Sequence, residues 1–348
     1  VSFAFFIILF VMHIKNINLP KKILSWYDNN KRILPWRLNQ KNQKHQYYRI
    51  ISEFMLQQTQ VKTVIPYFKK FVKKMPNLES LSKSKEKEIL KLWEGLGYYR
   101  RARNLRKSAQ ILVKNYKSKI PNTFEEIKKL PGVGDYTANI LLALIYNQPR
   151  IGLDGNVKRV LFRLFKKNAD DLEILSKKIT NDSYFHNRNN DFAEALMEFG
   201  AIICKPKNPS CDICIINKSC YSFKKKKIIS TPKKRNIKLK KYNIYCYLKK
   251  KQKQIALTKN QNLSFLSNFN VPCIKIVEHK KNVKRNNKWT YLSSYEKNIS
   301  NIKMKINLFY KFTHYKPLNF KWYSIDKPED EFIPTFTKKI FREIIKLY

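Results

Sequence analysis

All seven glycines of this 348-residue chain fall between positions 95 and 200. Glycine serves backbone that needs positive φ or a close approach to another group. A chain that lacks glycine elsewhere therefore concentrates its tight geometry at Gly95 and Gly97, Gly132 and Gly134, Gly152 and Gly155, and Gly200. From about residue 20 to 200, apolar residues recur at three- and four-residue spacing, as in Ile50 and Phe54, Val61–Ile65, Leu90–Trp93 and Leu105–Val113. Pro35, Pro66, Pro76, Pro121 and Pro131 mark the expected breaks. This part reads as all-α. After about 240 the texture changes. Tyr242–Leu248, Ile255–Leu257 and Cys273–Val277 read as strands and Thr337–Leu347 as a closing helix, which predicts a smaller α+β domain.

Hydrophobic residues make up 43 % of the chain, enough for packed cores, so wholesale disorder is excluded. Lys and Arg number 72 against 25 Asp and Glu, a net charge of +47. Such a charge attracts polyanions, nucleic acid first among them. It also fits a composition rich in Lys, Asn and Ile, the drift of an AT-rich genome, so charge alone permits nucleic-acid binding without identifying it. Six cysteines in a chain this long are no disulfide scaffold. No apolar run reaches the roughly 20 residues that span a bilayer. Residues 1–12 are nearly all apolar but have no basic stretch before them and no small-residue cleavage site after them. The expectation is an extension over 1–15 produced by an upstream start, with Met12 as the true beginning.

Four motifs carry chemistry. Leu130-Pro131-Gly132-Val133-Gly134 joins a helix opened by Thr123 and Glu126, in capping-box spacing, to a second helix through Tyr136 and Leu141–Ile145. A glycine turn feeding a helix N-terminus suits a phosphate, as in a helix-hairpin-helix, although an ordinary helix–helix turn has the same outline. Asp154 sits between Gly152 and Gly155, ahead of Asn156, Lys158 and Arg159. It reads as a carboxylate aimed into a groove and equally as an N-cap. Cys204, Cys211, Cys214 and Cys220 lie within 17 residues, and four thiolates so close point to one shared metal centre. Glu53 stands in the apolar stretch Ser52–Val61. If buried it is a proton-holding general acid; if exposed, a surface partner of Arg49.

Taken together these motifs resemble the MutY family of adenine DNA glycosylases, within the endonuclease III superfamily. LPWR (34–37), SEFMLQQTQV (52–61), VIPYF (64–68), LWEGLGYYRRARNL (92–105), LPGVGDYTA (130–138), LDGNVKRV (153–160) and the cysteine loop occur in family order over residues 20–225. Strand-cleaving relatives place a Lys where Tyr136 stands and a His where Asn156 stands, and they lack the counterpart of Glu53. The resemblance implies a mainly α fold: a two-lobed helix-hairpin-helix glycosylase core over 16–225, with a six-helix module at about 40–150 and a cluster-bearing module at about 16–39 and 151–225. A basic linker at 226–240 and a degenerate Nudix-like lesion-recognition domain at 241–348 follow.

It further implies a monofunctional enzyme of base-excision repair, acting as a monomer, in the cytoplasm at the nucleoid and away from membranes. Its substrate would be double-stranded DNA with adenine opposite 8-oxoguanine or guanine. Glu53 would move the proton, Asp154 would stabilise the transition state, and Tyr136 and Asn156 would position the reacting groups. One [4Fe–4S] cluster would be held by the four cysteines. Trp36, Arg37 and Glu194 would line the adenine pocket. Gln57, Gln58, Tyr98, Gly132, Val133, Gly134 and Lys158 would contact DNA, and Phe312, Thr313 and His314 would read the lesion. The glycine-bearing loop usual in that domain is represented here by Leu263–Phe269, and no Nudix hydrolase box is present. An endonuclease III-like pyrimidine glycosylase/lyase and a noncatalytic iron–sulfur DNA-binding protein are the alternatives.

Overall fold

The computed structural model describes residues 18–38, 42–166, 187–226, 228, 238–260, 269–277, 289–299, 302–326 and 333–348. The N-terminal extension, most of the linker and the 263–268 part of the loop lie outside these. Two compact units divide the chain: Val1–Ser84 with Asn104–Pro232, and Lys85–Arg103 with Lys233–Tyr348. No described helix is long and apolar enough to cross a membrane.

The first unit is helical. It contains α1 (Leu19–Asn30), α2 (Gln43–Leu56), α3 (Val61–Lys74) and α4 (Leu78–Lys83). The second unit takes α5 (Glu86–Leu92) and the start of α6 (Arg100–Tyr116), whose remainder returns to the first. Next come α7 (Phe124–Lys128), α8 (Asp135–Tyr146), α9 (Gly155–Phe165), α10 (Asn189–Ile202) and α11 (Tyr221–Lys224). Among these α8 is apolar all round: Ile140, Leu141, Leu142 and Ala143 are fully buried. Such a helix belongs at the centre of a bundle, and α8 packs against α2, α7 and α10. A separate core gathers Leu19, Ile23 and Trp26 of α1 with Val157, Leu161 and Leu164 of α9 and Phe192, Leu196 and Phe199 of α10. Cys204, Cys214 and Cys220 pack against it.

Pro66 does not break a helix, contrary to expectation; it lies inside α3. Its ring is exposed, as is Lys62 one turn back. The carbonyl that loses its donor is thus on the solvent side, while Val64, Phe68 and Phe71 are fully buried and hold the helix. Only half of the Thr123 capping box forms. Thr123 Oγ1 accepts from the Glu126 N–H at 3.4 Å, but its hydroxyl donates to Glu126 Oε2 at 2.8 Å.

The second unit holds β1 (Lys238–Lys249), β2 (Gln254–Lys259), β3 (Asn270–Val271), β4 (Cys273–Val277), β5 (Thr290–Ile299), β6 (Ile302–Phe312) and β7 (Lys321–Ser324), closed by α12 (Thr335–Ile345). β1 is central. It runs parallel to β6 over its whole length and antiparallel to β2 and β4. β5 pairs antiparallel with β6, with a register shift between Tyr291 and Ser293. One face is apolar. Ile244, Cys246 and Leu248 of β1 and Met304, Ile306 and Leu308 of β6 are fully buried, as are Ile340 and Ile344 of α12. This unit also carries Tyr99 against Phe269, with ring centroids 4.7 Å apart, and an ion pair of Lys338 with Glu94 at 2.5 Å.

Candidate active site

Four helix-borne segments of the first unit bring titratable groups together. Glu53 lies on α2, buried to 5 % exposure, so burial and not a surface pair decides its chemistry. Tyr136, in the first turn of α8, donates its hydroxyl to Glu53 Oε2 at 3.3 Å and approaches Met197 Sδ of α10 at 3.5 Å. Asp154 is the N-cap of α9. Its Oδ1 accepts from the N–H groups of Asn156 at 2.8 Å and Val157 at 2.7 Å, and its Oδ2 accepts from Asn156 Nδ2 at 2.9 Å. Both sequence readings of Asp154 thus coexist: it caps a helix, and it is a carboxylate within electrostatic reach of Glu53.

Desolvation pushes the Glu53 carboxyl up to about 7. Arg49 opposes that rise, Glu194 and Asp154 reinforce it, and the Tyr136 hydroxyl moderates it. Asp154 is also raised by burial, but three hydrogen bonds to its charged form pull the other way. One carboxyl is therefore poised to hold a proton at neutrality, while its neighbour has donors that stabilise its anion. Burial, and then the charges of Glu53 and Asp154, raise Tyr136 well above the usual phenol range, so it remains a neutral donor.

Two glycines set this geometry. A Cβ on Gly152 would fall 2.7 Å from the Tyr136 ring, and one on Gly200 would fall 2.7 Å from Asn156 Cβ and 3.0 Å from its carbonyl oxygen. Asn156 is further held by Arg159, which donates to its Oδ1 at 2.8 Å and to the carbonyls of Gly200 and Cys204 at 2.7 Å each.

Beside Glu53 lies a buried ion network. Arg49, one turn back on α2, pairs not with Glu53 but with Glu194 of α10: Nη1 to Oε1 at 2.5 Å and Nη2 to Oε2 at 3.3 Å. Arg37 donates to Glu194 at 3.1 Å and Glu198 at 2.9 Å; Tyr27 donates to Glu194 at 2.9 Å; Arg32 pairs with Glu198 at 2.5 Å. Burial alone would raise Glu194, yet Arg49 and Arg37 hold it down at about 2. Arg37 and Glu194 are thus joined to each other, while Trp36 is buried edge-on against Phe68 at 5.3 Å. The sequence reading missed Tyr27, Arg32 and Glu198. A lone Arg49 inside a buried helix was the available signal.

The hairpin turn is tied down from within. Gly132 has φ +82°, and a Cβ there would meet Asn104 at 2.7 Å and the Phe54 ring at 3.1 Å. Gln57 donates to the Gly132 carbonyl at 3.2 Å and Ser108 to that of Pro131 at 3.0 Å. Val133 is buried; Gly134 precedes α8 with no side-chain cap, which leaves helix N–H groups for an anion. Lys158 is exposed. Gln58 is exposed with φ +58°. In the second unit, Tyr98 is 42 % exposed with φ +50°, its ring 5.3 Å from the Arg101 guanidinium. At the end of β6, Thr313 Oγ1 accepts from the Tyr315 N–H at 3.1 Å, and Phe312 and His314 are exposed.

The four motif cysteines line one cavity of about 750 Å³ with Arg163, Ile216 and Lys218. Arg163 Nη1 lies 3.4 Å from Cys204 Sγ, and Cys220 Sγ donates to the Arg163 carbonyl at 3.3 Å. Burial raises Cys214 to about 11, and it raises Cys211 and Cys220 too; the neighbouring thiolates add to each rise. Among the described residues no three side chains converge on a single-ion point. Four thiols around one roomy cavity fit a multi-atom centre with a thiolate donor set.

Residues 51–182 match the family model described as HhH-GPD superfamily base excision DNA repair protein. An adenine DNA glycosylase of Buchnera aphidicola subsp. Baizongia pistaciae is 44 % identical over 210 residues, 59 % of this chain and 58 % of the relative. The human adenine DNA glycosylase is 38 % identical over 207 residues, 57 % of this chain and 38 % of the relative. The match thus spans less than two thirds of these relatives' length. Among solved structures, a thermostable thymine-DNA glycosylase is similar with TM-score 0.53 and 28 % identity, covering 60 % of this chain and 95 % of that one. A non-covalent endonuclease III–DNA complex shares the fold, with TM-score 0.51 and 21 % identity over 62 % of this chain and 97 % of that one. Over its helical part the chain is thus similar to HhH-GPD superfamily base excision DNA repair proteins and to adenine DNA glycosylases.

Proposed function

We propose that the chain is a monofunctional adenine DNA glycosylase, removing adenine mispaired with 8-oxoguanine or guanine from double-stranded DNA. The observation that carries this reading is the buried Glu53, hydrogen-bonded by Tyr136 where a lyase would need an amine, with the Asp154 carboxylate within electrostatic reach. The target adenine must leave the stack to reach these groups. Glu53, which keeps its proton up to about pH 7, gives it to the adenine ring as the bond between C1′ and N9 breaks and the bonding pair departs with the base. The positive charge left on the sugar is stabilised by the Asp154 carboxylate. Water then adds to C1′ and its proton returns to Glu53. Tyr136 fixes the Glu53 carboxyl through Oε2, and Asn156 fixes Asp154.

Trp36, Arg37 and Glu194 wall the adenine pocket in this reading. Gln57, Gln58, Tyr98, the 132–134 turn and Lys158 contact DNA, and Phe312, Thr313 and His314 read the opposite base. The protein acts as a monomer at the cytoplasmic nucleoid.

Cys204, Cys211, Cys214 and Cys220 hold a [4Fe–4S] cluster, which supplies a covalent tie for the loop beside α9 and α10. About four irons per chain are expected in the purified protein, with a visible thiolate-to-iron absorption. Cys214→Ser is expected to lose both, with a lower thermal midpoint.

The test of the activity is release of adenine from a duplex with adenine opposite 8-oxoguanine. Asp154→Asn retains an N-cap acceptor, so its folding stability is expected to stay within about 1 kcal/mol of the parent. Its single-turnover rate is expected to fall by about 10²–10³ for want of the charge. Equal rates in parent and variant would rule the mechanism out. Strong borohydride trapping of the parent would favour the lyase alternative.

A further inference from the structure

Strand alternation gives the sheet of the second unit two unlike faces. The side of Ile244, Cys246 and Leu248 is buried, and α12 lies there, with Lys339 Nζ 4.0 Å from the centroid of the Tyr295 ring. The opposite side would ordinarily be a polar, solvated face. Here it is paved with rings. In the parallel register of β1 and β6, Tyr245 faces Phe309 and Tyr247 faces Lys311. Tyr245 and Phe309 stack at 5.4 Å and 19°. Trp289 meets Tyr245 edge-on at 4.9 Å and Tyr247 at 4.8 Å. Tyr291, 55 % exposed, extends the surface beside Phe309.

Lysines are set among these rings. Lys311 Nζ lies 5.1 Å from the centroids of both Tyr247 and Trp289, Lys275 lies 5.6 Å from Tyr245, and Lys249 lies 4.9 Å from Trp322. The described strands carry a single carboxylate, Glu296, which pairs with Lys303 at 2.8 Å and Lys305 at 3.6 Å. Residues 233–348 contain 28 Lys and Arg against 7 Asp and Glu.

Flat rings interleaved with amines match a ligand that alternates flat bases with phosphates. A protein interface is the poorer fit, because lysine is depleted from such surfaces, and a second copy would set like charges against each other. Phe312, by contrast, points to the other side of β6, toward Tyr310 at 5.6 Å and Tyr348 at 6.0 Å. The ring-and-lysine face is therefore on the side of β6 opposite Phe312. We propose that this sheet face is a stacking surface for the unpaired bases of single-stranded nucleic acid. It is a second binding site beyond the one for the mispaired duplex, and it does not depend on the adenine chemistry.

The test uses the full chain with oligothymidylate and oligouridylate of about 12 nucleotides, a length within the range such surfaces engage. Fluorescence anisotropy reads affinity at two salt concentrations. The double variant Tyr247→Ala with Trp289→Ala is expected to bind at least about tenfold more weakly. Lys275→Gln with Lys311→Gln, which keeps every ring, is expected to lose affinity by a similar factor and to show a shallower salt dependence. Thermal midpoint and adenine release from duplex should match the parent in the lysine variant. Loss of binding to either strand type supports the surface. Unchanged affinity in both double variants overturns it, and so does a change confined to self-association in sedimentation.

Discussion

Glu53→Gln is expected to make the enzyme inactive and more stable at once. Loss of a general acid costs about 10²–10⁴ in rate. The stability gain follows from the raised carboxyl. Unfolded, Glu53 titrates near 4.5; folded, near 7. Between those values the unfolded chain has given up a proton that the folded protein keeps, so stability falls as pH rises through that window and is level above it. At 1.36 kcal/mol per unit, the buried carboxyl costs about 3 kcal/mol above pH 7, a cost glutamine does not carry. Denaturant melts of parent and variant should diverge from pH 4.5 to 7 and then run parallel. Curves that stay together across the range would place Glu53 in water. In the parent, adenine release should fall as pH rises through about 7, because the acid must be protonated to act.

Glu194→Ala is expected to be among the most damaging substitutions to folding. It removes the shared acceptor of Arg49 and Arg37 and leaves a guanidinium on α2 buried beside Glu53. Breaking a buried pair in this way costs about 3–5 kcal/mol. Because Glu194 is held at about 2, the stability it confers is present above the unfolded value near 4.5 and is lost as pH falls toward 2. The same network sets the Glu53 proton. The Glu194 charge raises the Glu53 carboxyl and Arg49 lowers it. Glu194→Gln should therefore move the pH limb of adenine release to lower pH, and Arg49→Met to higher pH. Shifts of the same sign in both variants would show that the effect is loss of packing and not of charge.

Helical periodicity and the glycine turns are local signals, and they locate α2, α8 and α9 along with Glu53, Tyr136 and Asp154. The cap on α9 is local too, three residues from acceptor to donor. The environment of Glu53 is not local. Its own helix offers Arg49, and only α10, 145 residues on, supplies the carboxylate that takes Arg49 away. Charge spacing within α2 therefore predicts the wrong partner. Pro66 misleads for a related reason: its cost is settled by which side of α3 faces solvent. In the second unit, β5 and β6 escaped the sequence reading. Their ring-and-lysine face blurs the alternation expected of a half-buried strand, and the register shift after Tyr291 breaks the period in β5. The buried set Met304, Ile306 and Leu308 still alternates cleanly and was the signal to follow.

In the proposed mechanism Asp154 has two jobs that make different demands on chemistry. Holding the first turn of α9 requires only an oxygen, and serine, threonine or asparagine would serve nearly as well. Steadying a cation requires the formal charge. A lineage released from selection for catalysis would be free to drift among those acceptors at this site while its fold survived. A survey of sibling genes can therefore separate working copies from relics at one codon, with aspartate marking the former.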